Sequence, residues 1–131
     1  MILLHGQEAL FKHFTVKDGL PSNHIYAVHE DSQGYIWVCT PKGVAKYDGD
    51  RFRNFTVEDG LPTNDVWNIL EDSENRLWLH FRGDELCYIQ NDSIHIVPLD
   101  FHCEGSIIYE DKDSTKIYNN YNNLLFTIYE W

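Results

Sequence analysis

Acidic side chains dominate the reactive groups of this chain. Two carboxylates about 5 to 9.5 Å apart would suit glycoside hydrolysis, one as acid and the other as base or nucleophile. The Glu-Asp pairs Glu30/Asp31, Glu71/Asp72 and Glu110/Asp111 recur along the sequence. One catalytic centre needs no such copies, so they read as strand-end and turn residues. The unrepeated acids Asp84, Glu85, Asp100 and Glu104 remain, and no spacing brings two of them together. Histidines invite a metal reading, but none has a ligating spacing such as H-E-x-x-H. His24 and His29 are expected on one strand, facing opposite sides because their separation is odd. His95 stands between Ile94 and Ile96, and His102 beside Cys103. Asp48-Gly49-Asp50 is too short for a calcium loop, and no G-x-S-x-G elbow presents a nucleophilic serine. Cys39, Cys87 and Cys103 are odd in number and lack C-x-x-C spacing, which argues against a disulfide framework or zinc site and favours buried free thiols, with a single bridge and one spare cysteine as the alternative. The expectation is no catalytic residue, no metal and no cofactor.

An internal repeat sets where these groups stand. Shifting the chain by 41 lays Phe14-Thr15-Val16-Lys17-Asp18-Gly19-Leu20-Pro21-Ser22-Asn23 on Phe55-Thr56-Val57-Glu58-Asp59-Gly60-Leu61-Pro62-Thr63-Asn64. The match continues with Tyr26 on Trp67, Glu30-Asp31-Ser32 on Glu71-Asp72-Ser73, and Ile36-Trp37-Val38 on Leu77-Trp78-Leu79. Of the 27 positions from Phe14 to Thr40, 12 are identical at this offset, which chance does not produce. Alternating apolar and β-branched residues predict strands at 24–30, 35–40, 43–48 and 51–56, with counterparts at 65–71, 76–81, 84–90 and 93–98. Asp31-Ser32-Gln33-Gly34 reads as a turn with Gly34 at positive φ; Asn75 at the equivalent place is the next most tolerant residue there.

Four antiparallel strands in about 41 residues are the pattern of a β-propeller blade. The expected fold is therefore all-β, about three blades of an incomplete ring. Residues 9–15 would form the outer strand of a preceding blade, 24–56 blade one, 65–98 blade two, and 105–131 a degenerate third blade lacking its fourth strand. Trp37 and Trp78 are expected to be buried between blades. A pair of β-sandwiches is the alternative, but a sandwich has no reason to repeat its sequence.

Asp-Gly-Leu-Pro-x-Asn, a strand ending in Glu-Asp-Ser, Gly-x-Ile-Trp-Val and Gly43-Val44-Ala45-Lys46-Tyr47-Asp48-Gly49 together resemble the two-component regulator propeller repeat. The resemblance covers about residues 8–98 well and 105–131 poorly; after Trp78 the second copy departs, with Asp84-Glu85 set against Gly43-Val44. It implies a noncatalytic sensor segment of a membrane two-component histidine kinase, N-terminal to further domains of that kinase. It also implies a periplasmic or otherwise extracytoplasmic location at the inner membrane, and an oligosaccharide or other small extracellular ligand. A structural interaction scaffold is the alternative, and a glycan-active propeller enzyme the weaker one.

In a propeller the loops at 17–23, 58–64 and 99–105 share one face with those at 40–43, 81–84 and 120–123. Lys42, Arg82, Asn23 and Asn64 lie in these loops and are the candidate ligand-binding residues, being donors suited to carboxylate and hydroxyl groups. The asparagines could instead bond the loop backbone. With 21 acidic against 10 basic residues and a net charge of −11, nucleic acid and anionic membrane surfaces are excluded as partners. No apolar run reaches the roughly 18 to 20 residues of a membrane-spanning helix. An open sheet edge favours association. The expectation is a homo-oligomer in which residues 9–15 of one chain pair with residues 123–129 of another.

Overall fold

The computed structural model describes residues 11–83 and 85–99 in full, and the backbone of 106–111, 114–119 and 124–129. Eleven strands are present among them. They run β1 (Ala27–Glu30), β2 (Ile36–Thr40), β3 (Gly43–Tyr47), β4 (Phe52–Phe55), β5 (Val66–Glu71), β6 (Leu77–Phe81), β7 (Cys87–Gln90), β8 (Ser93–Ile96), β9 (Ser106–Asp111), β10 (Ser114–Asn119) and β11 (Leu124–Tyr129). Each pairs antiparallel with its neighbour, giving two four-stranded sheets in the order β1-β2-β3-β4 and β5-β6-β7-β8, and a three-stranded sheet β9-β10-β11. The all-β blade architecture is as the repeat predicts.

Cross-strand pairing fixes the two faces of each sheet. In the first, Ala27 opposes Cys39, Cys39 opposes Val44 and Val44 opposes Phe55. With Trp37, this row forms the face turned to the second sheet, where it meets Val66, Ile69, Leu77, Leu79, Phe81, Cys87 and Ile89 in one core. The rear face of the first sheet carries Val28, Val38 and Ala45 in register. Leu20 and Phe14 pack there with Ile36 and Phe52. Trp78 opposes Tyr88 and lies on the far face of the second sheet, beside Leu86, Val97 and Leu99. Both tryptophans therefore face forward from their own sheet, and both are only 1% exposed.

Three expectations change. The offset is 41 only through the second strand: Trp37 opposes Lys46, whereas Trp78 opposes Tyr88, so one extra residue after Phe81 makes the offset 42. Glu85-Leu86, not Asp84-Glu85, then correspond to Gly43-Val44, and the third strand begins at Cys87 rather than 84. Residue 84 itself lies outside the described residues. His24 is not on a strand with His29, because β1 begins at Ala27. Residues 11–15 carry no strand, and 9–10 lie outside the described residues; a strand needs a hydrogen-bonding neighbour, and no other strand borders this segment among the described residues.

The Asp-Gly-Leu-Pro loops are more ordered than turn chemistry alone suggests. Val16–Asp18 and Val57–Asp59 each form a 3-10 turn closed by a capping box: Thr15 and Thr56 cap the start, and Asp18 and Asp59 accept from the threonine N–H. Gly19 and Gly60 then end the turns at φ of 113° and 112°, a region costly for a side chain.

Candidate functional site: an aromatic rim between two sheets

Asn23 and Asn64 are spent on these loops. Asn23 Oδ1 accepts the Val16 N–H at 2.9 Å, and Asn64 Oδ1 accepts that of Val57 at 2.8 Å. Each thereby supplies a partner to a donor that the short turn leaves unpaired. Lys42 is exposed; its N–H donates to Thr40 Oγ1 at 3.1 Å. The next residue, Gly43, donates its N–H to the Asn64 carbonyl at 2.6 Å, so the 40–43 and 58–64 loops do share one face. Arg82 is exposed on the same face, near enough to Tyr26 for its charge to act on the phenol.

Around Arg82 the structure gathers residues that the sequence did not single out. Tyr26 precedes β1, Asp65 precedes β5, and Trp67 lies within β5. The Tyr26 hydroxyl donates to Asp65 Oδ1 at 3.0 Å across the seam between the sheets. Trp67 Nε1 donates to the other oxygen of the same carboxylate, also at 3.0 Å. The two rings stand 6.3 Å apart, His24 lies edge-on to Tyr26, and His80 is 6.2 Å from Trp67. Tyr26 and Trp67 remain 42% and 40% exposed, which is unusual for rings fixed so closely. The cause is local backbone geometry. Pairing of β5 with β6 shifts between Val66 and Asn68, so Trp67 sits in a β-bulge and Val66 alone of the three turns inward.

The electrostatics follow from the contacts. The Tyr26 hydrogen bond to Asp65 holds the phenol proton and raises its pKa; partial burial and the carboxylate charge add to this, and Arg82 opposes it. Burial pushes the His80 imidazole down, favouring its neutral form. The rim thus offers two aromatic faces, a carboxylate already holding two donors, a neutral imidazole and a guanidinium. These are hydrogen-bonding and stacking groups of the kind that line binding sites, and none of them is placed as a nucleophile.

The opposite end of the seam is bridged by hydrogen bonds and ion pairs. A cleft of about 310 Å³ lies there, lined in part by Asp31, Gln33, Tyr35, Lys46, Asn75 and Asp92. Its carboxylates are committed: Asp92 pairs with Lys46 at 2.8 Å and Arg53 at 3.1 Å, and Asp31 accepts from Gln33 N, Tyr35 N and Trp37 Nε1. Glu71 reaches across to Ser32, and His29 Nε2 lies 3.5 Å from it. Among the described residues no cluster of His, Cys, Asp and Glu is arranged to hold a metal. Cys39 and Cys87 are buried free thiols; Cys103, Asp100 and Glu104 lie outside the described residues.

Comparison with known proteins agrees with the sheet assignment. The model of the two component regulator propeller family matches residues 19–42 and 60–83, covering β1 and β2 in the first sheet and β5 and β6 in the second. Among solved structures, the chain is similar to the extracellular domain of BT4673 of B. thetaiotaomicron, described as a one component system, with a TM-score of 0.69 and 18% identity. It is also similar to the extracellular domain of BT3049 of the same organism, described as a hybrid two component system, with a TM-score of 0.60 and 17% identity. It aligns over 91% and 86% of its own length but spans only 17% and 18% of theirs, respectively. No curated protein matches it. No helix among the described residues is long and apolar enough to cross a membrane. At identities this low the structural likeness speaks for the fold alone, and the family model adds a likeness to the two component regulator propeller repeat, one copy in each four-stranded sheet.

Proposed function

We propose that the chain is a noncatalytic segment of the extracytoplasmic sensor propeller of a membrane two-component histidine kinase, whose rim at Tyr26, Asp65, Trp67 and Arg82 seats an oligosaccharide or similar small hydroxyl-bearing ligand. The observation that carries the reading is the pair of half-exposed rings sharing one carboxylate. Aromatic faces cover the C–H faces of a polar ring, while carboxylate and guanidinium groups take its hydroxyls. The family match and the extracellular origin of the structural neighbours support the location. Further domains of the kinase would receive the signal, and neither cofactor nor metal is required.

The test is calorimetric titration of a panel of neutral and acidic oligosaccharides into the protein, then into Trp67→Ala and Tyr26→Ala. A ligand whose affinity falls at least about tenfold in both variants supports the reading. Binding unaffected by either variant, or no binding across the panel together with unchanged signalling when the segment is deleted, would leave an interaction scaffold as the better account. One observation favours that second reading: Val28 is exposed on the rear face of the first sheet.

A further inference from the structure

The charged groups of the rim belong to the second sheet alone. Asp65, His80 and Arg82 stand where the first sheet has His24, Cys39 and Pro41, 41 residues earlier. Repeated residues build the blades, so what departs from the repeat is free to serve a ligand. Strand register brings these departures together. Val66 opposes Phe81 and Asn68 opposes His80, so Asp65 and Arg82 are the next residues beyond the Val66 pair on adjacent strands. Val66 and Phe81 are both buried, and alternation turns their neighbours Asp65 and Arg82 away from the core and toward the rim. The two differ in what they already hold. Asp65 has a donor on each oxygen, from Tyr26 and Trp67. Arg82 is exposed and has no carboxylate within ion-pair distance among the described residues, whereas Arg51, Arg53 and Arg76 each have one.

We propose that Arg82 selects an oligosaccharide bearing a carboxylate, such as a uronate residue, by pairing its guanidinium with that carboxylate while the sugar ring lies on Trp67 and Tyr26. This inference rests on the rim being the ligand seat and adds the charge of what it takes. A guanidinium is a rigid fork of donors that fits both oxygens of a carboxylate at once. A ligand laid over the rim strips water from that fork, and a desolvated cation needs an acceptor in exchange. Asp65 lies beyond ion-pair distance and both of its oxygens are engaged, so the acceptor has to come with the ligand. A hydroxyl oxygen also accepts, but a carboxylate offers two acceptors in one plane and the opposite charge. The net charge of −11 repels anions at long range, so a preference for an acid comes from this local pairing and not from the general field.

Titration calorimetry with uronate-bearing oligosaccharides, each beside its carboxyl-reduced counterpart, tests this. An acid should bind the parent protein at least about tenfold more tightly than its reduced form. That ratio should fall to about one in Arg82→Gln and recover in part in Arg82→Lys, whose ammonium restores the charge without the fork. Arg82 is exposed, so circular dichroism should show both variants folded. Equal affinity of acid and reduced sugar for the parent overturns the proposal, as does a preference that survives Arg82→Gln. If a sugar binds and is lost in Trp67→Ala without any preference for the acid, the rim keeps its ligand role and only this inference falls; if no sugar binds at all, both fall.

Discussion

Trp37 Nε1 donates to Asp31 Oδ2 at 2.8 Å, and Trp78 Nε1 makes the same bond to Asp72 Oδ2 at the same distance. Each aspartate also gathers its own hairpin: Asp31 accepts from Gln33 N and Tyr35 N, Asp72 from Glu74 N and Arg76 N. In each four-stranded sheet one carboxylate thus ties a tight turn to a large buried ring. Burying an indole strands its N–H unless an acceptor comes with it. The aspartate six residues earlier is that acceptor.

Removing the acceptor should cost as much as removing the ring. Asp72 is buried and also pairs with Arg76, so Asp72→Ala removes the acceptor of several donors and one of the two carboxylates that face Arg76. A loss of about 3 to 5 kcal/mol is expected, matched by about 3 to 5 kcal/mol for Trp78→Ala or Trp37→Ala. Urea titrations of the single and double variants should show a coupling of about 1 kcal/mol or more between Asp72 and Trp78. Purely additive losses would mean that the two groups act independently, and a loss below about 1 kcal/mol for either tryptophan would contradict its place in the seam.

The thiols give a pH signature. Burial pushes Cys39 and Cys87 up to about 12 from an ordinary 9.0. The folded state thus favours the protonated thiols. That contribution is complete below the unfolded value of 9.0 and is lost as pH rises toward 12. At about pH 8.5 iodoacetamide should spare both residues in the native protein and modify both in urea, because the thiolate is the nucleophile. Peptide mapping that finds either labelled under native conditions would contradict their burial.

How much of this could be read from the sequence depended on whether the feature repeats. The turn at Asp31 was legible because Gly34 and Asn75 share a positive-φ requirement, and both adopt it, at 87° and 60°. The bond to tryptophan was signalled by the recurring interval from Asp31 to Trp37 and Asp72 to Trp78, but only the hairpin register turns that interval into a contact. Thr15-x-x-Asp18 and Thr56-x-x-Asp59 also have capping-box spacing, a signal that the expectation of plain loops at these places passed over. The rim was hidden for the opposite reason. Tyr26 and Trp67 look like an apolar exchange at a core position, and the bulge that turns Trp67 outward depends on strand pairing. Asp65 replaces His24 in the repeat, and this departure from repetition was the available clue.

The Tyr26–Asp65 bond across the seam should be visible in the phenol's titration. A donated hydrogen bond and a nearby negative charge both hold the proton, so Asp65→Asn should lower the Tyr26 pKa relative to the parent. The phenol's contribution to folding is whole below the ordinary value of 10.0 and disappears as pH rises through the raised one. Carbon-13 tyrosine spectra, assigned with Tyr26→Phe, would follow the shift; an unchanged Tyr26 curve in Asp65→Asn would remove this contact from the rim.

Glycines at two turns should respond in opposite ways. Gly34 has φ of 87° with nothing near its missing side chain, and Asn75 already occupies the equivalent turn, so Gly34→Asn should cost only a few tenths of a kcal/mol. Gly43 has φ of 121°, and a Cβ there would stand 2.5 Å from the Phe55 carbonyl oxygen. That oxygen is backbone held in the sheet, so it cannot swing aside as a side chain would. Gly43→Ala should therefore cost about 2 to 4 kcal/mol, combining backbone strain with displacement of β4 from β3. Since the Gly43 N–H also meets Asn64 across the seam, the damage should spread to the rim and expose Trp67 further. Thermal melts comparing the two variants decide the matter: equal losses would mean that the close approach of β3 to β4 does not constrain this position.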